Sequence, residues 1–366
     1  MPVPIWIGLD VGDRTSRFAA IDSQMQLVGE GEEETDPDRL ALALQSLPDT
    51  PIREIAVEAS SLSIHLSHRL RALGLPVAVY EARRASRYLK LRGNKTDRND
   101  AKGLAEIAKL RLPSIPRVHV KSPETHQLRA KLLLRTKLTR QKVACEGMLR
   151  ALIRLHGGRL KKSKSETAYR AAVMAEAAHL SACGQPDISK EVAALLDICM
   201  AHRRIVNLMD IELAERAAVN PVCSAFLAVP GIGPICALSF YTAIEDPTRF
   251  EAASDVGPYL GLTPKTSQSG KSRRSGRISR AGNRLTRSHL NMAAGVLLRS
   301  RTKDHPLRSW ALKLAERSGR GKARTALARR LAVTLLAMWK SGKPFDPALA
   351  ASRSHGIIPA LSTANP

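Results

Sequence analysis

Short apolar segments recur through the first 80 residues, and this pattern restricts the fold more than any other feature of the chain. The first run, residues 5–11, is followed by Gly12 and Asp13 and is typical of a buried strand with a turn after it. Strands come first, and strands alternating with helices follow, which predicts an α/β sheet. The predicted strands cover residues 5–11, 17–21, 26–28, 52–57 and 75–80, and the predicted helices between them cover about 36–47 and 61–74.

Acidic residues stand at the ends of two of these strands. Asp10 closes the first strand, and Glu58 closes the fourth. If these strands lie side by side, both carboxylates meet at one edge of the sheet. Asp97 and Asp100 are spaced i, i+3 in a helix predicted over 94–112, so they share one face of that helix.

Four converging carboxylates repel each other unless a cation lies between them. Two carboxylates ~5 Å apart, at an effective dielectric of ~20, cost about 3 kcal/mol. A hard divalent cation removes this cost, and oxygen ligands suit Mg²⁺ or Mn²⁺. Two such ions activate a nucleophile and stabilise the leaving oxygen in phosphodiester displacement. Each acidic residue taken alone is more often a cap, a turn residue or a solvated side chain, so the metal hypothesis depends on the ordered set.

The charge changes sign along the chain. The formal net charge is +25, yet residues 1–60 carry 4 basic and 12 acidic residues. Residues 261–330 carry 19 basic and 2 acidic residues. This surplus favours a polyanion, DNA or RNA, as partner, and the aromatic fraction of 4% argues against base stacking as the main binding mode. The pattern indicates metal binding near the start of the chain and phosphate binding near its end.

The middle of the chain predicts two long helices, over about 122–156 and 189–218. They indicate a helical hairpin or coiled coil, and ordinary bundle packing is an equal alternative. Helices also end the chain, up to about residue 341. The predicted division is a catalytic α/β domain over 1–118, a long-helix hairpin or coiled coil over 119–218, a mostly helical domain over 219–345 and a loosely ordered tail over 346–366.

A basic segment rich in serine and glycine, residues 262–283, is predicted to form an exposed loop. It contains the string Ser267-Gln268-Ser269-Gly270. A serine hydroxyl that attacks phosphorus needs an exposed position and nearby cations to hold the phosphate. A flexible basic loop that touches the DNA backbone is the alternative. The residues predicted to hold phosphate are Lys271, Arg273, Arg274, Arg277, Arg280 and Arg284.

The order of the carboxylates resembles a known nuclease core. Asp10, Glu58, Asp97 and Asp100 follow one another on strand, strand and helix, as in RuvC-type, ribonuclease-H-like nucleases. The string 95–101, Lys-Thr-Asp-Arg-Asn-Asp-Ala, resembles the DEDD transposases more closely. That family comprises the insertion-sequence recombinases of family one-hundred-and-ten and the Piv-type DNA invertases. The resemblance covers roughly residues 4–340 and includes, in the family's order, the strings 229–234, 259–264 and 276–283.

The resemblance implies an α/β fold with a RuvC-like N-terminal domain, a coiled-coil middle and a mostly helical C-terminal transposase domain. It implies Mg²⁺ or Mn²⁺ at the four carboxylates and a nucleophilic serine before a glycine, which corresponds to Ser269. Members of the family often have Ser-Ser-Gly-Gly where this chain has Gln-Ser-Gly-Lys, so Ser267 and Ser272 stay as alternatives. A structured noncoding guide RNA that pairs with donor and target DNA is also implied.

The sequence therefore predicts a transposase or recombinase that cuts and rejoins DNA strands. A junction-resolving nuclease that uses metal-activated water is the rival enzyme, and a structural nucleic-acid-binding protein is the rival from another class. Because two DNAs are exchanged, we expect a homo-oligomer, a dimer or tetramer. No apolar run is long enough to predict a membrane span. Five scattered cysteines fit reduced thiols in a cytosol, and for a DNA-processing enzyme we expect a cytoplasmic, nucleoid-associated location.

Overall fold

The chain folds as two compact units, Met1–Lys121 and Ser122–Pro366. The computed structural model describes residues 3–47, 51–91, 93–160, 165–269, 272–299 and 305–348. The further predicted boundaries at residues 218 and 345 stay predictions.

The first unit contains a five-stranded mixed sheet. Its strands are β1 (Ile5–Val11), β2 (Thr15–Ile21), β3 (Leu27–Glu34), β4 (Ile52–Glu58) and β5 (Val77–Tyr80). Their order across the sheet is β3-β2-β1-β4-β5. The pairs β1–β2 and β2–β3 are antiparallel, whereas β1–β4 and β4–β5 are parallel. The predicted α/β sheet is confirmed, because the apolar runs become buried strands, and β3 extends further than the sequence predicted.

In the described part of this unit, four helices accompany the sheet. They are α1 (Pro37–Gln45), α2 (Ser61–Ala72), α3 (Ala82–Lys90) and α4 (Asp97–Leu110). Thr96 caps α4 by accepting a hydrogen bond from the Asn99 amide at 3.2 Å. The sequence did not predict α3, whose single buried residue is Ala85. A helix that has four basic residues among nine and buries one small side chain has no apolar stripe for a periodicity argument to detect.

The second unit is mainly helical. Its helices are α5 (Pro123–Leu155), α6 (Glu166–Ala182), α7 (Ser189–Val219), α8 (Pro221–Phe226), α9 (Pro234–Ile244), α10 (Val256–Tyr259), α11 (Arg284–Arg299), α12 (Pro306–Ser318) and α13 (Arg320–Ser341), with 3₁₀ turns at Pro247–Arg249 and Ala253–Asp255. The two long helices predicted from the sequence are confirmed as α5 and α7. The sequence missed α6, which joins them in one apolar cluster through Tyr169 and Val173. The coiled coil stays a prediction.

The C-terminal helices share a larger core. The rings of Phe226 and Phe240 meet edge to face with centroids 5.6 Å apart, and Trp339 packs on Phe226 at 5.9 Å. This core joins α8, α9 and α13, and apolar side chains of α11 and α12 complete it. Among the helices of the described residues, none combines the length and the apolar character that crossing a bilayer requires.

The segment 262–283 is not the loop that the sequence predicted. Most of it forms an antiparallel hairpin of β6 (Pro264–Ser269) and β7 (Ser272–Ile278). Serine and threonine are compatible with strand backbone, and only two residues, Gly270 and Lys271, separate the strands in the sequence. The loop prediction was wrong. It relied on the polar composition of the segment, whereas hydrogen bonds between the two backbones form the hairpin.

Candidate catalytic and nucleic-acid-binding sites

Asp10 and Glu58 lie at the same edge of the sheet. Asp10 is the penultimate residue of β1, and Glu58 is the last residue of β4. The two strands are parallel neighbours, and their pairing runs up to Leu9 opposite Val57. Because Asp10 and Glu58 follow these paired residues directly, the sheet brings the two carboxyl groups to neighbouring positions.

Helix α4 brings two more carboxylates to β1. Asp97 is its first residue, and Asp100 lies in the same first turn. The helix packs so closely on β1 that a Cβ atom at Gly8 would lie 1.9 Å from the carbonyl oxygen of Ala101. Glycine at this position therefore permits the close approach that places the first turn of α4 beside the end of β1.

The four carboxylates influence one another electrostatically. Burial is the main cause that raises the pKa of Asp10 from 3.8 to about 6, and the charges of Asp100 and Asp97 add to it. Burial also raises the pKa of Glu58, with further contributions from Asp10 and Asp100. Lys95 opposes the rise in both pKa values. The ordered set recognised in the sequence is thus one interacting group.

Ionic contacts hold α4 at both ends. The Arg98 guanidinium donates two hydrogen bonds, of 2.7 and 2.6 Å, to the Glu30 carboxylate on β3. At the other end, Arg111 caps the helix in a left-handed conformation and lies 3.6 Å from the Glu54 carboxylate on β4. Glu54 is buried and also accepts hydrogen bonds from Tyr80 and Arg117. These contacts fix α4 relative to the strands that carry Asp10 and Glu58.

The donor set suits a hard divalent cation, since all four groups are carboxylates. Within the described residues, however, no three His, Cys, Asp or Glu side chains are already close enough together to hold a metal ion. The backbone positions and mutual charges of the four carboxylates fit such a cation. Asp97 is exposed and Asp100 is half-buried.

Two further charged residues lie near the four carboxylates. Glu81 was not identified from the sequence, and Lys95 was given no role. Glu81 follows the last residue of β5 and adds to the negative charge that acts on Glu58. Its position in the sequence could have identified it, because Glu81 directly follows the carboxyl end of β5, a third parallel strand. Lys95 precedes α4, and its charge reaches both Asp10 and Glu58.

Ser269 lies at the end of β6, paired with Ser272 at the start of β7. Ser267 pairs with Arg274 in the same hairpin. The three candidate serines therefore share the end of the hairpin far from its connections to α10 and α11. Nothing in the structure selects among them, and Ser269 stays a prediction.

The predicted phosphate-binding residues extend from this hairpin to the start of α11. Arg273 lies on β7 opposite Gln268, and Lys271 lies outside the described residues. The side chains whose exposure the structure describes are all exposed: Arg274, Arg277, Arg280 and Arg284. Exposed cations on one hairpin and the adjoining helix start can contact a nucleic-acid backbone.

His289 is the histidine nearest to the hairpin in sequence, but it is buried in α11. Burial, together with the charge of Arg135, lowers its pKa to about 4. A buried neutral imidazole is not exposed to a substrate.

Two family models match the chain. A transposase model for IS110 DEDD transposases matches residues 7–156, and a model described as the transposase IS116/IS110/IS902 family matches residues 223–308. The first match contains all four carboxylates, and the second contains the hairpin and its arginines.

Individual relatives agree with these matches. The transposase for insertion sequence element IS1111A of Coxiella burnetii is 24% identical over 91% of this chain and 88% of its own length. A probable family 20 transposase of Pseudomonas aeruginosa is 27% identical over 78% of this chain and 83% of its own. A pilin gene-inverting protein of Moraxella bovis is 30% identical over 34% of this chain and 38% of its own.

Proposed function

Because the chain belongs to the IS110/IS116/IS902 family of transposases, we propose that its four N-terminal carboxylates and a hairpin serine together cut and rejoin DNA strands. It is a transposase, an enzyme that cuts DNA. The observation that carries the proposal is the grouping of Asp10, Glu58, Asp97 and Asp100 on β1, β4 and α4.

The N-terminal unit is proposed to be a RuvC-like nuclease core. Support comes from the sheet order, in which two antiparallel pairs on one side of β1 are followed by two parallel pairs on the other. In this proposal the four carboxylates hold Mg²⁺ or Mn²⁺. When bound, the metal supplies Lewis-acid stabilisation to the scissile phosphate and its leaving oxygen. The carboxylates would hold the cation that this phosphate contacts, and the charge of Lys95 acts on the same group.

Ser269 is proposed as the nucleophile. Its Oγ attacks phosphorus, the bond to one DNA strand breaks, and a phosphoserine link forms. The serine proton is released and the departing strand takes one up, so it ends in a free hydroxyl. A hydroxyl of another strand then reverses the step and frees Ser269. Because the bond energy is kept in the phosphoserine link, rejoining requires no external energy source. The exposed arginines of the hairpin offer charge to the phosphate.

We expect Ser269→Ala to abolish a covalent protein–DNA adduct. Wild type incubated with Mg²⁺ and the DNA that copurifies with it should give a shifted band on a denaturing gel. The alanine variant should bind the same DNA and give no shifted band, because it lacks the attacking oxygen.

Two other results would change the assignment. A persistent adduct in Ser269→Ala, lost instead in Ser267→Ala or Ser272→Ala, would move the nucleophile within the hairpin. Cleavage without any adduct in wild type would favour the rival junction-resolving nuclease, which uses metal-activated water.

DNA binding should depend strongly on salt. With about 6–10 phosphate contacts, affinity should fall on the order of a thousandfold or more between about 50 and 200 mM salt, because each contact releases condensed counterions. The net positive charge of residues 261–330 motivates this expectation. Anisotropy titrations of a labelled DNA duplex at several salt concentrations measure it, and a flat response would contradict phosphate binding by this segment.

The remaining partners are proposals that follow from the family. A structured noncoding guide RNA would select donor and target by base pairing while the protein binds backbone. A dimer or tetramer would hold the two DNAs that are exchanged. Sequencing the nucleic acid that copurifies with the chain tests the RNA directly. A cytoplasmic, nucleoid-associated location also stays a prediction.

A further inference from the structure

The hairpin β6–β7 emerges from a crossing of two backbone segments, 259–263 and 279–282, here called the hairpin root. Gly261 has a φ of +65°, and a Cβ atom there would lie 2.3 Å from the Ala281 carbonyl oxygen. Gly282 has a φ of +68°, and a Cβ atom there would lie 2.0 Å from the Tyr259 carbonyl oxygen. Two glycines therefore allow the segments to touch through their backbones.

Backbone hydrogen bonds close this crossing. The Ser279 amide donates to the Thr263 carbonyl at 2.8 Å, and the Arg280 amide donates to the Gly261 carbonyl at 3.2 Å. Arg280 adopts a φ of +57°, a left-handed conformation that is unfavourable for a non-glycine residue. The root thus holds Arg280 in a backbone conformation that it would seldom adopt in a free loop.

Arg287 joins the two segments from α11. Its side chain is buried, with 8% exposed. Nη1 donates to the Leu260 carbonyl at 2.9 Å and to the Ala281 carbonyl at 2.8 Å, one on each segment. One buried guanidinium group therefore connects both sides of the hairpin root.

Among the described residues, no carboxylate is found to pair with Arg287 or to act on its charge. Its guanidinium donates to neutral carbonyl oxygens, and the charges that act on it come from Arg280 and Arg284, both positive. Burial lowers the pKa of Arg287, and these two arginines lower it further. A buried charge without a counter-ion costs free energy, which hydrogen bonds to carbonyls offset only in part.

The charge at the hairpin root is positive, because Arg280 and Arg284 both lie near enough to act on Arg287. The amides at the start of α11 are already partly used, because the Asn283 side chain accepts from Leu285 and Thr286 at 2.9 and 3.2 Å. The attraction therefore comes from the three arginines and not from the helix terminus. Arg280 and Arg284 are exposed and accessible to a phosphate, whereas Arg287 adds charge from beneath the surface.

We propose that Arg280, Arg284 and Arg287 form one phosphate site, which binds a single backbone phosphate of DNA at the hairpin root. Arg287 is a positioning residue in this site, since it holds the root and contributes charge without being exposed. The proposal rests on the proposed DNA-processing function of the hairpin, and it is independent of which serine attacks. A phosphate bound at this site would place the DNA backbone at the root of the hairpin.

Arg287→Gln separates charge from hydrogen bonding. Glutamine keeps an amide donor for the root carbonyls but removes the positive charge. In EDTA, with a labelled DNA duplex, affinity should fall about tenfold and the slope of log affinity against log salt should become shallower by about 1. Arg287→Lys keeps the charge and should restore most of the slope. Arg140→Gln on α5, an exposed residue, is the control for loss of one positive charge.

The triple variant Arg280→Gln, Arg284→Gln, Arg287→Gln decides whether these residues form one site. A single shared phosphate predicts that the slope changes by about 1, as in Arg287→Gln alone, because one contact is lost. A change of about 3 would mean three independent contacts and would overturn the proposal. An unchanged slope in Arg287→Gln, or a change with an RNA duplex but not with DNA, would overturn it too.

Two readouts keep this proposal separate from the proposed function. Thermal unfolding shows whether Arg287→Gln is folded. If Arg287→Gln does not fold, the binding test is repeated with Arg280→Gln, which changes an exposed residue. If wild type forms the covalent adduct while the slopes do not change, only the phosphate site fails. If no adduct forms with wild type while the slopes change as expected, the serine mechanism fails and the phosphate site stands.

Discussion

Gly8→Ala is expected to displace α4 and to lower the rate of strand cleavage about a hundredfold. The added Cβ would lie 1.9 Å from the Ala101 carbonyl oxygen and 2.4 Å from the Ala105 amide nitrogen, both backbone atoms of α4. Backbone atoms cannot rotate away, so the helix must move or the unit must unfold. Overpacking of this kind costs on the order of 3 kcal/mol, and a displacement of about 1 Å at a reacting group lowers rates about a hundredfold. Urea unfolding and plasmid cleavage measure the two effects.

Gly147→Ala is the matched control for that substitution. Gly147 is an exposed residue inside α5, and a Cβ atom there meets nothing within 4 Å. Alanine should stabilise this helix by about 0.5–1 kcal/mol, since it removes the conformational freedom of glycine. If Gly8→Ala were as stable and as active as wild type, the close packing of α4 on β1 would be wrong.

Asp10→Asn is expected to stabilise the folded chain at pH 8 in EDTA while cleavage in Mg²⁺ falls about a hundredfold or more. The pKa of Asp10 is raised from 3.8 to about 6 by burial and by Asp100 and Asp97. A raised carboxyl pKa means that the folded state loses stability as the pH rises from about 4 to about 6, and that the full loss is present above about 6. Because Asp10 is partly exposed to solvent, the gain at pH 8 is about 1–2 kcal/mol.

The loss of cleavage has a separate reason. Changes to residues that only support a metal ligand already cost about 10–100-fold, so removing a proposed ligand should cost at least as much. Thermal unfolding at pH 4 and pH 8 measures the stability, and Asp13→Asn, an exposed carboxylate on the turn after β1, is the control. Equal stability of Asp10→Asn and wild type at both pH values would contradict the raised pKa of Asp10.

Much of the first unit follows from local sequence patterns. The strand ends at Asp10 and Glu58 and the helix carrying Asp97 and Asp100 were predictable, because burial imposes an apolar run and a cap residue marks a helix start. Their convergence required the pairing of β1 with β4, which depends on the whole sheet. The role of Gly8 was not predictable, since nothing local indicates which helix will pack against a strand glycine.

The hairpin was less accessible to sequence reasoning. Residues 262–283 are polar and basic, which local reasoning assigns to a loop, whereas two polar strands pair through their backbones. Arg287 also looked like one more cation in a basic segment. Its burial depends on Gly261 and Gly282 bringing two distant backbone segments together, a tertiary event that leaves no periodic signal.

A calorimetric titration of Mn²⁺ into wild type, Glu58→Gln and Asp97→Asn tests the central claim most directly, because it measures the carboxylate site without any DNA. Glu58 ends a strand and Asp97 begins a helix, so only a shared site makes both necessary. We expect wild type to bind Mn²⁺ and each variant to lose at least about tenfold in affinity. Binding by both variants with the affinity of wild type would contradict a metal site formed by these carboxylates.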